Sequence, residues 1–181
     1  DMYGGAADSQ LILMTLVFKT VVGASPPPSR SAVTFVGDAT TADIGGTSIG
    51  LTVRGGEEGD GQYVVLNHSA AASATVTPAS GFVQISASTI DTNIGRLVLY
   101  ERVLTGTTGD TTQTFNFSTS VVGVAGSFTV RGTRVDLQRN ASTQSNYLLT
   151  AAPPSVTITV PSSLVVSIVG SGNWNRSQTP G

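Results

Sequence analysis

The sequence predicts an all-β fold: an antiparallel β-sandwich, jelly-roll-like, with an extended N-terminal arm. Three observations carry this. Of 181 residues, 25 are Thr, 22 Val, 21 Ser and 21 Gly, so strand formers and turn formers make up nearly half the chain. From Ser31 onward, short apolar runs alternate with Gly/Asp/Thr/Ser turns, the rhythm of a sandwich or barrel. Charged residues are only 11%, against about 25% in an average domain. No helical bundle or coiled coil is built from such a composition. A hydrophobic share of 39% at a net charge of −2 also excludes a disordered chain.

The elements follow in order. Residues 1–29 read as an arm. Its Gly-rich start (DMYGGAADSQ) leads into the β-forming run Leu11–Val22, and Pro26-Pro27-Pro28 then forbids helix and favours extended backbone. Residues 30–181 read as the sandwich. Candidate strands are Ala32–Val36, Ser48–Val53, Gln62–Leu66, Ala74–Thr77, Val83–Ser88, Arg96–Val103, Thr111–Ser120, Gly126–Arg131, Ser155–Val160 and Leu164–Val169. Several alternate with period two, as half-buried strands do. Ile49, Leu51 and Val53 share one face; so do Val156, Ile158 and Val160; Phe115 and Phe117 point inward with Asn116 facing water. The loop Gly55–Gly61 carries four glycines in seven positions. A short turn is expected within Gln138–Tyr147.

Charge and composition restrict the partners. The single lysine, Lys19, and eight scattered arginines make no basic face, so nucleic acid is not an expected partner. Leu11–Phe18 is apolar for eight residues, far short of the roughly 20 a membrane span needs. Asp1 and Asp8 precede it where a signal peptide would carry positive charge. It reads as one buried strand, and no membrane association is expected. With no cysteine and one histidine, a structural zinc site is excluded.

The order Phe35-Val36-Gly37-Asp38, Ile49–Val53, Gly59-Asp60, Tyr63-Val64-Val65-Leu66, Thr77-Pro78-Ala79-Ser80-Gly81-Phe82 and Leu97–Val103 resembles β-sandwich virion proteins of tailed bacteriophages. These are head decoration proteins, head fibres and minor tail proteins. Thr114–Ser118 and the stretch Ala152–Val169 followed by Trp174 extend the likeness, which covers residues 32–181 apart from Asp136–Tyr147. The resemblance implies a non-enzymatic structural component of a virion, assembled in the host cytoplasm. It would bind the major capsid protein or another virion protein, as a homo-oligomer. It brings no catalytic residues and no cofactor.

Candidate site residues are few. An apolar strand outside a closed sandwich leaves a costly unpaired edge, so Leu11, Leu13, Leu16 and Phe18 are the expected assembly contact. The strand either caps its own domain or adds to a neighbouring subunit's sheet. Trp174, in the polar loop Gly172–Asn175, is the expected surface contact. Glu57, Glu58 and Asp60 crowd one Gly-rich loop and are a weak calcium candidate. His68 reads as a solvent-facing loop residue without the partners that catalysis needs. Tyr63, Tyr100, Tyr147 and Trp174 raise the alternative of a carbohydrate- or receptor-binding module. A bacterial adhesin or pilus-like subunit is a third reading.

Overall fold

The computed structural model describes residues 11–18, 33–69, 74–90, 95–131, 138–144 and 164–171. All regular structure in them is β: β1 (Leu11–Phe18), β2 (Thr34–Phe35), β3 (Thr40–Val53), β4 (Gly61–His68), β5 (Val76–Thr77), β6 (Val83–Ile90), β7 (Gly95–Val103), β8 (Thr111–Arg131), β9 (Gln138–Gln144) and β10 (Leu164–Ser171). Two antiparallel sheets pack together, which is the expected sandwich. The larger runs β2-β8-β4-β7-β6, with β3 and β5 also on β8; the smaller runs β10-β1-β9.

The larger sheet is organised by a bent ribbon. β3 and β8 pair along their length, from Thr40↔Ser127 to Val53↔Thr111, with a register shift between Gly46 and Ser48. The second half of β8 also pairs with β4, from Gly61↔Val130 to His68↔Gly123. The first half meets only the short β5 on that edge, at Val76↔Phe117 and Thr77↔Asn116. At Gly46 the backbone takes φ +124°, open to glycine and strained for other residues. The ribbon turns there, and its far half folds over the face of β4 and β7. Ile49, Leu51, Val53, Phe115 and Phe117 thereby share one core with Val64, Leu66, Val98 and Tyr100.

The opposite face of β4 and β7 is covered by the smaller sheet. Tyr63, Leu97, Leu99, Phe128 and Val130 pack there with Leu16 and Phe18 of β1 and, more peripherally, Val166 and Ile168 of β10. β4 is therefore buried on both faces almost throughout. That is why its sequence reads as a continuous apolar run and not as an alternation.

Two strand readings are corrected by this architecture. Thr111–Ser120 and Gly126–Arg131 are one strand of 21 residues. The segment read as a turn within Gln138–Tyr147 contains β9, paired to β1 from Leu11↔Gln144 to Val17↔Gln138. β1 lies between two strands of its own chain, its other partner being β10. The proline linker, Ser155–Val160 and Trp174 lie outside the described residues.

Candidate interaction surface

Among the described residues most of the charge gathers at one pole of the sandwich, where β3 and β7 end and β4 begins. Two loops meet there. Gly56 and Thr108 exchange backbone hydrogen bonds of 3.0 and 2.8 Å, while the Leu104 carbonyl accepts from Gly59 at 2.8 Å and the Leu104 N–H donates to Asp60 at 2.9 Å. Asp60 lies fully buried beneath them. Its Oδ2 accepts from the Glu57 backbone N–H at 2.8 Å and from Arg131 Nε at 3.2 Å. Arg131 also reaches Glu57 Oε1 at 3.4 Å. In the loop that is the weak calcium candidate, Glu57 and Asp60 thus form a carboxylate–guanidinium clasp with Arg131. Among the described residues no group of three or more His, Asp or Glu is placed to hold a metal ion. The arginine arrives from the far end of β8, which local sequence spacing does not show.

The other charged groups are similarly engaged. Arg54 Nη1 donates to Asp110 Oδ2 at 2.5 Å, and the Gly55 N–H donates to Asp110 Oδ1 at 2.9 Å. These bonds hold the Asp110 carboxyl below its usual range, the Gly55 N–H contributing most. Arg102 donates to Gln62 Oε1 at 2.8 Å, and its guanidinium sits 4.5 Å over the Phe82 ring. Tyr63 OH donates to Glu101 Oε1 at 2.7 Å. Burial and that carboxylate hold the phenol neutral, well above its ordinary range. Burial likewise pushes Tyr100 up to about 12. Both rings are almost fully buried, so neither serves the glycan platform weighed from sequence.

Beside this pole, two exposed apolar side chains stand at the ends of one rung. Phe35, Val130, Gly61 and Val103 are successive register partners across β2, β8, β4 and β7. Directly opposed residues present their side chains on one face. Val130 is buried, but Phe35 and Val103 are 49% and 51% exposed, and Val83, opposite Glu101, is 65% exposed. Phe35 meets Phe128 edge-on at 5.8 Å, and Phe128 stacks on Tyr63 at 5.2 Å. An exposed ring is thus backed by a rigid aromatic core. A separate apolar groove of about 270 Å³ opens between β10 and β8, lined by Val65, Leu97, Ala125, Phe128, Val166 and Ile168.

The expected site residues are placed as follows. Leu16 and Phe18 are fully buried within the chain's own second core; the backbone of Leu11 and Leu13 pairs with Ser171 and Val169. Glu58 is exposed on its loop. His68, expected in solvent, is the last residue of β4 and fully buried, because Arg96 and Gly123 carry the ladder past the apolar run on both sides. The exposed residues Phe35, Val103 and Val83 were missed. The alternation in each strand was their only sequence signal, and the register that joins them is long-range. No family model, curated protein or solved structure matches the chain.

Proposed function

We propose that the chain is a non-enzymatic structural component of a bacteriophage virion, a capsid decoration or head-fibre protein that docks on the particle surface. The observation that carries this reading is the exposure of Phe35 and Val103 at the two ends of one rung, with Val83 beside Val103, on a sheet packed on both faces. Exposed apolar side chains on a rigid sheet, flanked by charge, suit docking against another folded surface. The neighbouring ionisable groups support it: Arg54, Asp110, Arg131, Asp60, Glu57 and Arg102 bind one another, the Gln62 side chain or the backbone. The major capsid protein or a neighbouring virion protein is the partner, with the chain itself a homo-oligomer.

Gradient-purified particles from the source culture, analysed by quantitative mass spectrometry, test this. The chain should appear at a fixed ratio to the major capsid protein, and Phe35→Ser with Val103→Ser should remove it from particles without unfolding it. Its absence from particles, with the protein recovered elsewhere, would sink the proposal.

A further inference from the structure

The corner of the β3–β8 ribbon is held by one small set of groups. Ser69, immediately after β4, donates its N–H to the Val122 carbonyl at 2.7 Å. Its Oγ accepts from the Val122 N–H at 3.1 Å. A second clasp lies alongside, where Ser118 N–H donates to the Thr75 carbonyl at 3.0 Å and Thr75 N–H donates to Ser118 Oγ at 2.9 Å. Both clasps fall on Ser118–Val122. That stretch is where β8 leaves its short pairing with β5 and begins its pairing with β4.

His68 sits under this corner. Its Nδ1 lies 2.9 Å from the Ser69 carbonyl, so the neutral ring donates from Nδ1 and keeps a lone pair on Nε2. Among the described residues the buried Nε2 meets no hydrogen-bond partner. The ring stands edge-on to Phe117 at 5.2 Å. Its rung across the sheet is Ile44, Gly123, His68 and Arg96.

Among the described residues the surrounding charge is one-sided. β7 contributes Arg96, whose Nε is buried without a partner and whose Nη1 reaches the Ala74 carbonyl at 3.3 Å. β3 contributes Ile44, β8 contributes Gly123 and Phe117, and the segment before β5 contributes Ala74, none of them titratable. Asp43 stands one rung away, on the opposite face, since its line of partners runs through Val124 to Asn67. A proton on Nε2 would therefore place an N–H without an acceptor and a second cation beside Arg96.

We propose that His68 is an acid-sensitive latch on the corner of the β3–β8 ribbon, closed while its ring is neutral and released when the ring is protonated. Burial and, less strongly, Arg96 hold the imidazole below its ordinary range, against the opposing pull of the Ser69 carbonyl. The sign follows: the open corner binds the proton more tightly than the closed one. Closed-state stability is complete above the ordinary histidine range and falls as pH drops through it toward the depressed folded value.

His68 is the only histidine, so one imidazole C2 proton resonance in the wild-type chain reports its titration without any variant. Amide-exchange protection factors at residues 44–49 and 117–123, corrected for intrinsic rates, report the corner. The expected result is titration below the ordinary range, with protection at the corner falling up to tenfold per pH unit across the transition. His68→Gln, which cannot take the proton, should flatten that dependence selectively. Titration at the ordinary value, corner protection that does not change with pH, or an unchanged dependence in His68→Gln would each overturn the proposal.

Discussion

Thr40 and Thr52 belong to the same strand, yet the Thr40 hydroxyl donates to the Thr52 carbonyl. Twelve residues of straight strand would hold them about 40 Å apart. The contact therefore records the fold-back of β3 on itself. Ser127 closes it, its Oγ lying 2.7 Å from the Thr40 hydroxyl and donating to the same Thr52 carbonyl at 2.9 Å. One step along, Thr129 Oγ1 and Gln62 Nε2 both donate to the Arg54 carbonyl, at 2.8 and 2.6 Å. The exposed carbonyls of one ribbon half are thus satisfied by buried side chains from the other half and from β4, so the corner brings a polar seam into the core without leaving acceptors bare.

That seam is testable by removing its donors. Ser127→Ala takes away one of two donors to Thr52, and Thr129→Val one of two to Arg54. Each should cost about 1 kcal/mol, the usual worth of a hydrogen bond whose acceptor keeps another partner. Urea unfolding of the single variants and the pair measures this. No loss in either variant would show that the two halves are held by apolar packing alone.

The bend also depends on Gly123. A Cβ there would stand 2.1 Å from the Asn67 carbonyl oxygen and 2.7 Å from the His68 Cα, both of them backbone atoms. At Gly126, three residues on, the nearest atom is the Thr40 carbonyl oxygen at 3.6 Å. Gly123→Ala should cost about 3 kcal/mol or more. Gly126→Ala should be neutral or gain up to about 1 kcal/mol from reduced backbone entropy in the unfolded chain. Equal effects in denaturant midpoints would contradict the close approach of β4 and β8 at the corner.

How far the sequence could be read is clear from particular residues. The inward sets Ile49, Leu51, Val53 and Phe115, Phe117 were legible, because period-two alternation is a local signal. The unity of β8 was not: Val121–Gly126 carries two glycines and reads as a turn, whereas both neighbouring strands hold it extended. β9 (QRNASTQ) has a single apolar residue, Ala141, and owes its assignment to backbone pairing with β1. His68 looked like loop because the apolar run stops before it. Its burial is set by Arg96, Gly123 and Phe117, all distant in sequence. The partnership of Asp60 with Arg131 was hidden for the same reason, since the arginine is distant in sequence.

The position of β1 gives a sharp expectation. Phe18 is fully buried, edge-on to Tyr63 at 5.0 Å and to Phe128 at 6.2 Å. Phe18→Ala should destabilise the isolated chain by about 3–5 kcal/mol, and Leu16→Ala by about 2–5 kcal/mol. Thermal unfolding at dilute protein, where any oligomer has dissociated, makes the measurement. A strand that served only a neighbouring subunit would leave the dilute chain's stability unchanged and lower its association instead.

Asp60→Ala removes an acceptor shared by the Glu57 N–H and Arg131 Nε. The expected loss is about 2 kcal/mol, since hydrogen bonds to a charged group are stronger than neutral ones. Calcium or a chelator should leave the wild-type thermal midpoint where it is. A midpoint that rises with calcium concentration would mean that the loop binds the ion in the folded state.

Asp110 supplies the acid limb at this pole. Its carboxyl is held below the usual range by the Gly55 N–H and then by Arg54. A depressed folded value means that the folded state holds the proton less tightly than the unfolded one. The contribution is therefore complete above the ordinary carboxylate range and is lost as pH falls through it toward the folded value. The variant Asp110→Asn keeps an oxygen acceptor for Gly55 but cannot lose charge. Stability profiles of the two chains should run parallel near neutrality and converge at about pH 4 and below. Profiles that stay parallel throughout would show that the pairing of Arg54 with Asp110 carries no weight in solution, as many exposed ion pairs do.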